Sequence, residues 1–146
     1  MTMKIFSFGK VLMLLSVILL SCKKDKNVDP LNGIWELTQN QGYGSRLKFG
    51  PGQKFSMILT YADSSNHSMT QNGEFSIKGD SLFVNISEVV EKLNAQTEGK
   101  TSVNYTLFDK ATFDVRGSKL SLNYITYPAD APVATQMIYT QVDMID

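Results

Sequence analysis

Few side chains in this 146-residue chain could carry out catalysis. His67 is the only histidine, and it lies in the polar run 63–68, which is typical of a hairpin tip. A nucleophilic triad needs a histidine base that a carboxylate holds against the nucleophile, and a polar turn is a poor place for that arrangement. Glu88 and Glu91 would share one face of a helix, but solvated surface charge explains them more simply. The sequence therefore predicts that the protein is not an enzyme.

The chain also lacks the residues that a metal site or a phosphate-binding loop requires. A transition-metal site requires several His, Cys or carboxylate ligands, and the chain supplies one histidine and one cysteine. The segment Gly50-Pro51-Gly52 lacks the Gly-Lys-Ser/Thr that completes a phosphate-binding loop, so we interpret it as a turn. We expect neither a metal nor a cofactor, since the remaining candidate ligands are isolated carboxylates: Asp63, Asp109, Asp130 and Asp143.

The single cysteine ends an apolar segment near the amino terminus. Lys4 and Lys10 precede the apolar run 11–20, which stops at Ser21-Cys22. A basic start, an apolar stretch of roughly 7–15 residues and a small-residue cleavage site are typical of a secretory signal. A membrane span would need about 20 apolar residues. We therefore interpret residues 1–21 as a signal peptide.

The sequence Leu19-Leu20-Ser21-Cys22 resembles the lipobox of bacterial lipoproteins, in which the cysteine is lipidated and becomes the first mature residue. The resemblance implies acyl chains such as palmitate on Cys22, and two or more chains make such anchoring to membrane lipid stable. Lys23, rather than aspartate, follows the cysteine, which by the same resemblance implies the outer membrane. Either the periplasmic or the surface face of the cell envelope fits.

Charge limits the class of partner. Removal of Lys4 and Lys10 with the signal peptide leaves 12 of the 14 basic residues against 14 acidic ones, a net charge of −2. Arg46 and Arg116 are the only arginines, and no basic stripe exists. Nucleic acid binding depends on clustered Lys and Arg, so nucleic acid is excluded as a partner.

One globular domain follows a short tether. Residues 22–30 are polar and end in Asp29-Pro30, which is typical of a flexible linker. Residues 31–146 alternate apolar and polar side chains with a period of two, the period of a β-strand, and turn signals recur about every 8–12 residues, as in sandwiches and small barrels. Only residues 88–96 would also fit a short helix, and their apolar spacing permits either structure.

Two segments of the domain repeat one pattern. Residues 75–84 and 113–122 both read aromatic, any, β-branched, basic, Gly, Asp or Ser, any, Leu, any, aliphatic. A glycine at the first position of a two-residue loop suits a type II′ turn, which fixes the register of the hairpin. The sequence therefore predicts two hairpins with one buried face, in which the facing pairs are Ile77 and Leu82, Phe75 and Val84, Val115 and Leu120, and Phe113 and Leu122.

The segment Gly33-Ile34-Trp35, within residues 29–37, resembles the opening of lipocalin-like (calycin) domains, where Gly-x-Trp begins the first barrel strand. Residues 47–55 and the two Gly-turn hairpins are similar to the small bacterial lipoprotein members of that family, so the resemblance covers residues 31–142. It implies an all-β, antiparallel up-and-down barrel of eight to nine strands, with Gly33 and Trp35 at its base. The family's last strand often carries an arginine stacked over the tryptophan, whereas residues 135–142 contain no basic side chain.

An eight-stranded barrel is wide enough to be filled by side chains or to hold one small ligand. The period of two predicts a bulky interior, which we expect to be packed at one end and open at the other. Two functions remain for such a domain. The first is a membrane-anchored, lipocalin-like protein that binds a small apolar ligand; the second is a packed envelope lipoprotein that acts as a protein-binding adaptor or inhibitor through its open-end loops. For the first, the expected ligand-lining residues are Phe55, Met57, Leu59, Tyr61, Phe75, Tyr105, Phe113 and Tyr124. Residues 124–132, which contain two prolines, fit a lid, a partner-binding loop or a rigid connection.

Overall fold

The computed structural model describes residues 29–38, 42–61, 66–94, 96–129 and 131–143. The predicted signal peptide, Cys22 and most of the predicted tether lie outside the described residues. Among the described residues no helix is long and apolar enough to cross a membrane. The described part of the chain contains nine strands: β1 (Gly33–Leu37), β2 (Tyr43–Gly50), β3 (Lys54–Tyr61), β4 (Ser68–Lys78), β5 (Ser81–Leu93), β6 (Gln96–Thr106), β7 (Asp109–Arg116), β8 (Lys119–Thr126) and β9 (Val133–Val142).

Eight of these strands form a closed antiparallel barrel. The hydrogen-bonded order is β4-β3-β2-β1-β9-β8-β7-β5, and pairing of β4 with β5 closes the circle. Most neighbours in the barrel are also neighbours in the chain, as in an up-and-down barrel, and the ninth strand, β6, pairs with β5 alone. The predicted all-β barrel of eight to nine strands is confirmed.

The sheet has a ninth strand because β5 is long enough to pair with two strands along one edge. One edge of β5 pairs with β4, and its other edge pairs first with β7, at Ser81 and Leu82, and then with β6, from Asn85 to Leu93. Strands β6 and β7 therefore occupy successive parts of the same edge. Between them the backbone N–H of Leu107 donates a 2.9 Å hydrogen bond to the carbonyl of Val84. In the undecided segment 88–96, residues 88–93 and 96 are strand and residue 94 is a turn.

Both predicted hairpins are confirmed in register. Strands β4 and β5 pair Ile77 with Leu82 and Phe75 with Val84, and strands β7 and β8 repeat the arrangement. The first loop residues, Gly79 and Gly117, have φ angles of 65° and 59°, whereas the second loop residues have no positive φ, which is the pattern of a type II′ turn. All eight facing side chains are buried or pack against the core.

The core fills one end of the barrel, which we call the base because the turns at residues 51–53, 79–80 and 117–118 lie there. Trp35 and Leu31 are completely buried in it. Phe49 packs edge-on against Phe55 and Phe75, with ring centroids 5.2 and 5.0 Å apart. Such aromatic pairs add about 0.5–1.5 kcal/mol each to the energy of burial. The base is therefore packed with side chains.

Candidate functional site

The opposite end of the barrel contains a cavity of about 260 Å³, which we call the cup. The cup is open to solvent and lies above the packed base, among β2, β3, β8 and β9 and the connection between β6 and β7. Its lining consists of Tyr43, Ser45, Met57, Leu59, Tyr61, Leu107, Phe108, Tyr124, Met137 and Tyr139.

Strand alternation places most of these side chains in the cup. On β2 and β3 the cross-strand pairs are Tyr43 with Tyr61 and Ser45 with Leu59, and paired residues of antiparallel strands project from the same face. Leu107 and Phe108 instead come from the short connection between β6 and β7. The ring of buried Phe108 lies 4.9 Å from that of Tyr124 in the wall and 6.5 Å from that of Phe55 below, so it forms part of the floor.

The lining carries no charged side chain among the residues that the structure describes. It consists of five aromatic rings, two methionines, two leucines and one serine. Aromatic faces and flexible thioethers suit apolar molecules of varied shape. An ion would lose its hydration in the cup without gaining a partner of opposite charge. The arrangement therefore fits an uncharged, mainly apolar ligand.

One wall of the cup is polar because several hydroxyl groups meet there. Burial raises the pKa of Tyr139 to about 12; a hydrogen bond with Ser45 lowers it, and the neighbouring Tyr124 and Tyr43 phenols raise it further. Burial, together with the electrostatic effect of Tyr43, also raises the pKa of Tyr124. These groups lie close enough to affect one another, and Tyr139 and Tyr124 remain neutral at ordinary pH.

His67 lies at the rim of the cup, beside Tyr61. Its ring stacks on Tyr61, with centroids 4.9 Å apart and planes at 17°, and its carbonyl accepts a 3.1 Å hydrogen bond from the backbone N–H of Tyr61. Among the described residues no group of three or more His, Cys, Asp or Glu is placed to hold a metal ion. The candidate ligands Asp63 and Asp130 lie outside the described residues.

The structure separates the expected ligand-lining residues into two groups and one outlier. Met57, Leu59, Tyr61 and Tyr124 line the cup. Phe55 and Phe75 belong to the packed base, and Phe113 is partly buried against the core, outside the cup. Tyr105 lies on β6, keeps 39% of its surface exposed and is outside the cup. Its hydroxyl donates a 3.0 Å hydrogen bond to Oε1 of Gln71.

Sequence reasoning did not name Tyr43, Ser45, Phe108, Met137 and Tyr139 as lining residues. The period of two could have identified four of them as inward-facing: Met137 and Tyr139 on β9, and Tyr43 and Ser45 on β2. No periodic signal marks Phe108, because it lies between two strands.

Gly33 and Trp35 lie at the base of the barrel. Trp35 pairs with Gln141 of β9. A Cβ atom on Gly33 would lie 2.9 Å from Nε2 of Gln141. The φ of Gly33 is +134°, a conformation that other residues rarely adopt. Gly33 therefore leaves room for the Gln141 amide beside the tryptophan.

A second concavity, a groove of about 890 Å³, lies on the outer face of β2 to β5. Its acidic groups are paired with lysines. Lys54 contacts Glu74 and Lys100 contacts Glu88, each with a nitrogen–oxygen distance of 2.6 Å. Hydrogen bonds from Lys100 and Asn72 lower the pKa of Glu88, and the bond from Lys54 lowers that of Glu74. The acidic charges of the groove are thus compensated, whereas the described lining of the cup contains no charged side chain.

No protein-family model matches this chain, and neither a curated protein nor a solved structure matches it significantly.

Proposed function

We propose that this protein binds a small, uncharged, largely apolar molecule in the cup of a lipocalin-like barrel. The observation that carries the proposal is the composition of the lining, in which five aromatic rings, two methionines and two leucines surround a cavity at the mouth of a closed barrel. Small-molecule sites are typically concave and mainly apolar, with a few polar groups that orient the ligand. The role requires no catalytic residue and no cofactor.

The size of the cup restricts the ligand. Its volume of about 260 Å³ lies just below the range of about 300–1,000 Å³ that is usual for drug-sized ligands. Phe108 and the base beneath it prevent a long acyl chain from extending down the barrel axis. The proposed ligand is therefore a molecule with one or two rings, or with a short chain.

The proposed location follows from the amino-terminal sequence. Lipidation of Cys22 and the tether 22–30 would hold the barrel close to a membrane surface of the cell envelope, with the outer membrane as the expected one. Because the anchor supplies the membrane affinity, the barrel needs no apolar outer surface for that purpose, and the cup stays available for a ligand.

Probe binding to the full-length protein in detergent, with protein-free micelles as the blank, tests the proposal. The probe is phenylnaphthylamine, which is uncharged and fluoresces strongly in apolar sites. Wild type should bind it, and Met57→Trp should abolish binding, because the larger side chain fills the cup. The matched control is Ile58→Trp, the next residue of β3, which lines the outer groove instead.

The fold of each variant is checked by its circular dichroism and its denaturation midpoint. If Met57→Trp does not fold, Leu59→Trp, which is only partly buried at the same wall, replaces it. Absence of probe binding to wild type, or equal loss in Ile58→Trp, would contradict the proposal.

Binding of another protein through the open-end loops is the alternative function. Tyr127 and Val133 flank the connection between β8 and β9 and keep 61% and 48% of their surfaces exposed. The Tyr127 hydroxyl donates a hydrogen bond to Asp109, which fixes the ring in its exposed position. Exposed aromatic side chains at a rim favour protein contacts. If wild type binds no probe, and Tyr127→Ala abolishes chemical crosslinking to an envelope protein, the adaptor or inhibitor role replaces ligand binding.

A further inference from the structure

The polar wall of the cup is built from neighbouring strands. Arg46 of β2 pairs with Glu36 of β1, and the next residue of β1, Leu37, pairs with Tyr139 of β9. Ser45 and Tyr139 therefore stand at the same height on either side of β1. Tyr43 lies one step nearer the mouth on the inner face of β2. Three hydroxyl groups thus share one part of the wall, whereas Met57 and Phe108 provide apolar surface elsewhere in the cup.

Unlike a tyrosine buried in the core, Tyr139 is buried and also borders the cavity. The Tyr139 side chain is buried, and Ser45 lies close enough to its phenol to lower the pKa of that group, yet both residues line the open cavity. A hydroxyl group has one hydrogen to donate and two lone pairs to accept with. Even with one hydrogen bond made to each other, the Ser45 and Tyr139 hydroxyls would keep capacity for a further partner on the cavity side.

The hydroxyl groups of the wall determine which polar groups of a ligand it can bind. Neutral hydroxyls pair well with a hydroxyl or a carbonyl oxygen, because each side can donate or accept. An ionised carboxylate would need a cation to offset its lost hydration, and no described residue of the lining carries a positive charge. An ammonium group would find ring faces but no carboxylate.

Building on the proposed function, we propose that the ligand carries a neutral oxygen group, a hydroxyl or a carbonyl, which hydrogen-bonds to the wall formed by Tyr43, Ser45 and Tyr139 while its apolar ring or chain packs on Met57 and Phe108. The wall then orients the ligand, and the remainder of the cup supplies the apolar contact.

Four probes with the same ring system separate these possibilities: naphthalene, β-naphthol, naphthoate and a naphthyl trimethylammonium salt. Their affinities for the full-length protein are measured by displacement of phenylnaphthylamine. We expect β-naphthol to bind about fivefold more tightly than naphthalene, as one net hydrogen bond provides, and both to bind more tightly than the two ions.

Tyr139→Phe keeps the ring and removes the hydroxyl. It should reduce the affinity for β-naphthol to that for naphthalene and leave the affinity for naphthalene unchanged. If this variant does not fold, Ser45→Ala, which removes the other hydroxyl of the pair, provides the same comparison.

The outcomes distinguish this inference from the proposed function. If neither naphthalene nor β-naphthol binds, the proposed function fails. If the two bind equally, or if Tyr139→Phe and Ser45→Ala both leave the preference for β-naphthol intact, only the hydroxyl wall is wrong. Tightest binding of naphthoate or of the trimethylammonium salt would also overturn the inference and would indicate recognition of an ion.

Discussion

The indole Nε1 of Trp35 donates a 2.7 Å hydrogen bond to the backbone carbonyl of Leu31. Leu31 belongs to a short turn in which the Asp29 side chain accepts a 3.0 Å hydrogen bond from the Leu31 N–H, and the Asp29 carbonyl accepts a 2.9 Å bond from the Asn32 N–H. Since Leu31 and Trp35 are both completely buried, the tryptophan connects the segment before β1 to the core and closes the base of the barrel.

Substitution of Trp35 should therefore destabilise the barrel strongly. Trp35→Ala is expected to lower the free energy of unfolding by roughly 3–5 kcal/mol, because it removes a large buried side chain and leaves a cavity. Trp35→Phe should cost less, since it retains part of the packing but leaves the Leu31 carbonyl without its donor. Urea denaturation of the purified protein measures both effects.

The control for this measurement is Phe83→Ala. Phe83 lies on β5 and keeps 53% of its surface exposed, so its loss should cost under about 1 kcal/mol. Equal costs for Trp35→Ala and Phe83→Ala would show that Trp35 does not close the base.

Lipidation at Cys22 is tested by removal of the acyl acceptor. We expect Cys22→Ser to remain uncleaved at this site and to incorporate no acyl label, because lipid attachment requires the cysteine sulfur. Metabolic labelling with a palmitate analogue measures the modification. Lys24→Ser, two residues away in the tether, should be labelled like wild type, and equal labelling of the two variants would disprove the assignment.

The barrel and its two hairpins were predictable because their signals are local. In residues 75–84 the period of two, the glycine turn and the apolar face all fall within ten residues, so local pattern alone suffices to pair Phe75 with Val84. Strand β6 also alternates, at Val103 and Tyr105, but alternation does not record how many neighbours a strand has. This strand pairs on one side only, and Tyr105, which the alternation assigned to the interior, remains partly exposed.

The height of a side chain along the barrel axis was not predictable from the period. Phe55, Met57 and Leu59 share one face of β3, yet Phe55 lies in the base while Met57 and Leu59 line the cup. The division depends on what fills the barrel from other strands and connections, above all Phe108. Such contacts join residues that are far apart in the sequence, and no local pattern records them.

The β-bulge at Gly73 makes this glycine necessary. The register between β4 and β5 shifts between Asn72 and Gly73, and a Cβ atom on Gly73 would lie 1.9 Å from the carbonyl oxygen of Asn85. Since the clash is with backbone, which cannot move aside easily, Gly73→Ala should destabilise the barrel by about 1–3 kcal/mol or more. Gly99→Ala is the matched control, because Gly99 lies in a strand with open space around its Cα; it should be neutral or slightly stabilising. Urea denaturation measures the stability of both variants, and similar midpoints would disprove the steric argument.

Tyr139 should make the stability of the barrel decrease at high pH. Burial raises its pKa in the folded protein from 10.0 to about 12, so the neutral phenol is favoured in the folded state. Its contribution is fully present below the unfolded pKa of about 10 and is lost as the pH rises toward 12, because the unfolded chain ionises first. Between pH 9 and pH 11 wild type should lose roughly 1 kcal/mol more free energy of unfolding than Tyr139→Phe.

Urea denaturation at the two pH values measures that difference, and the absorbance of tyrosinate provides an independent check. In the difference between the titrations of folded wild type and folded Tyr139→Phe, one phenol should ionise well above pH 10. If wild type and Tyr139→Phe lose the same stability between the two pH values, Tyr139 is accessible to water, and the hydroxyl wall of the cup is not buried as the structure places it.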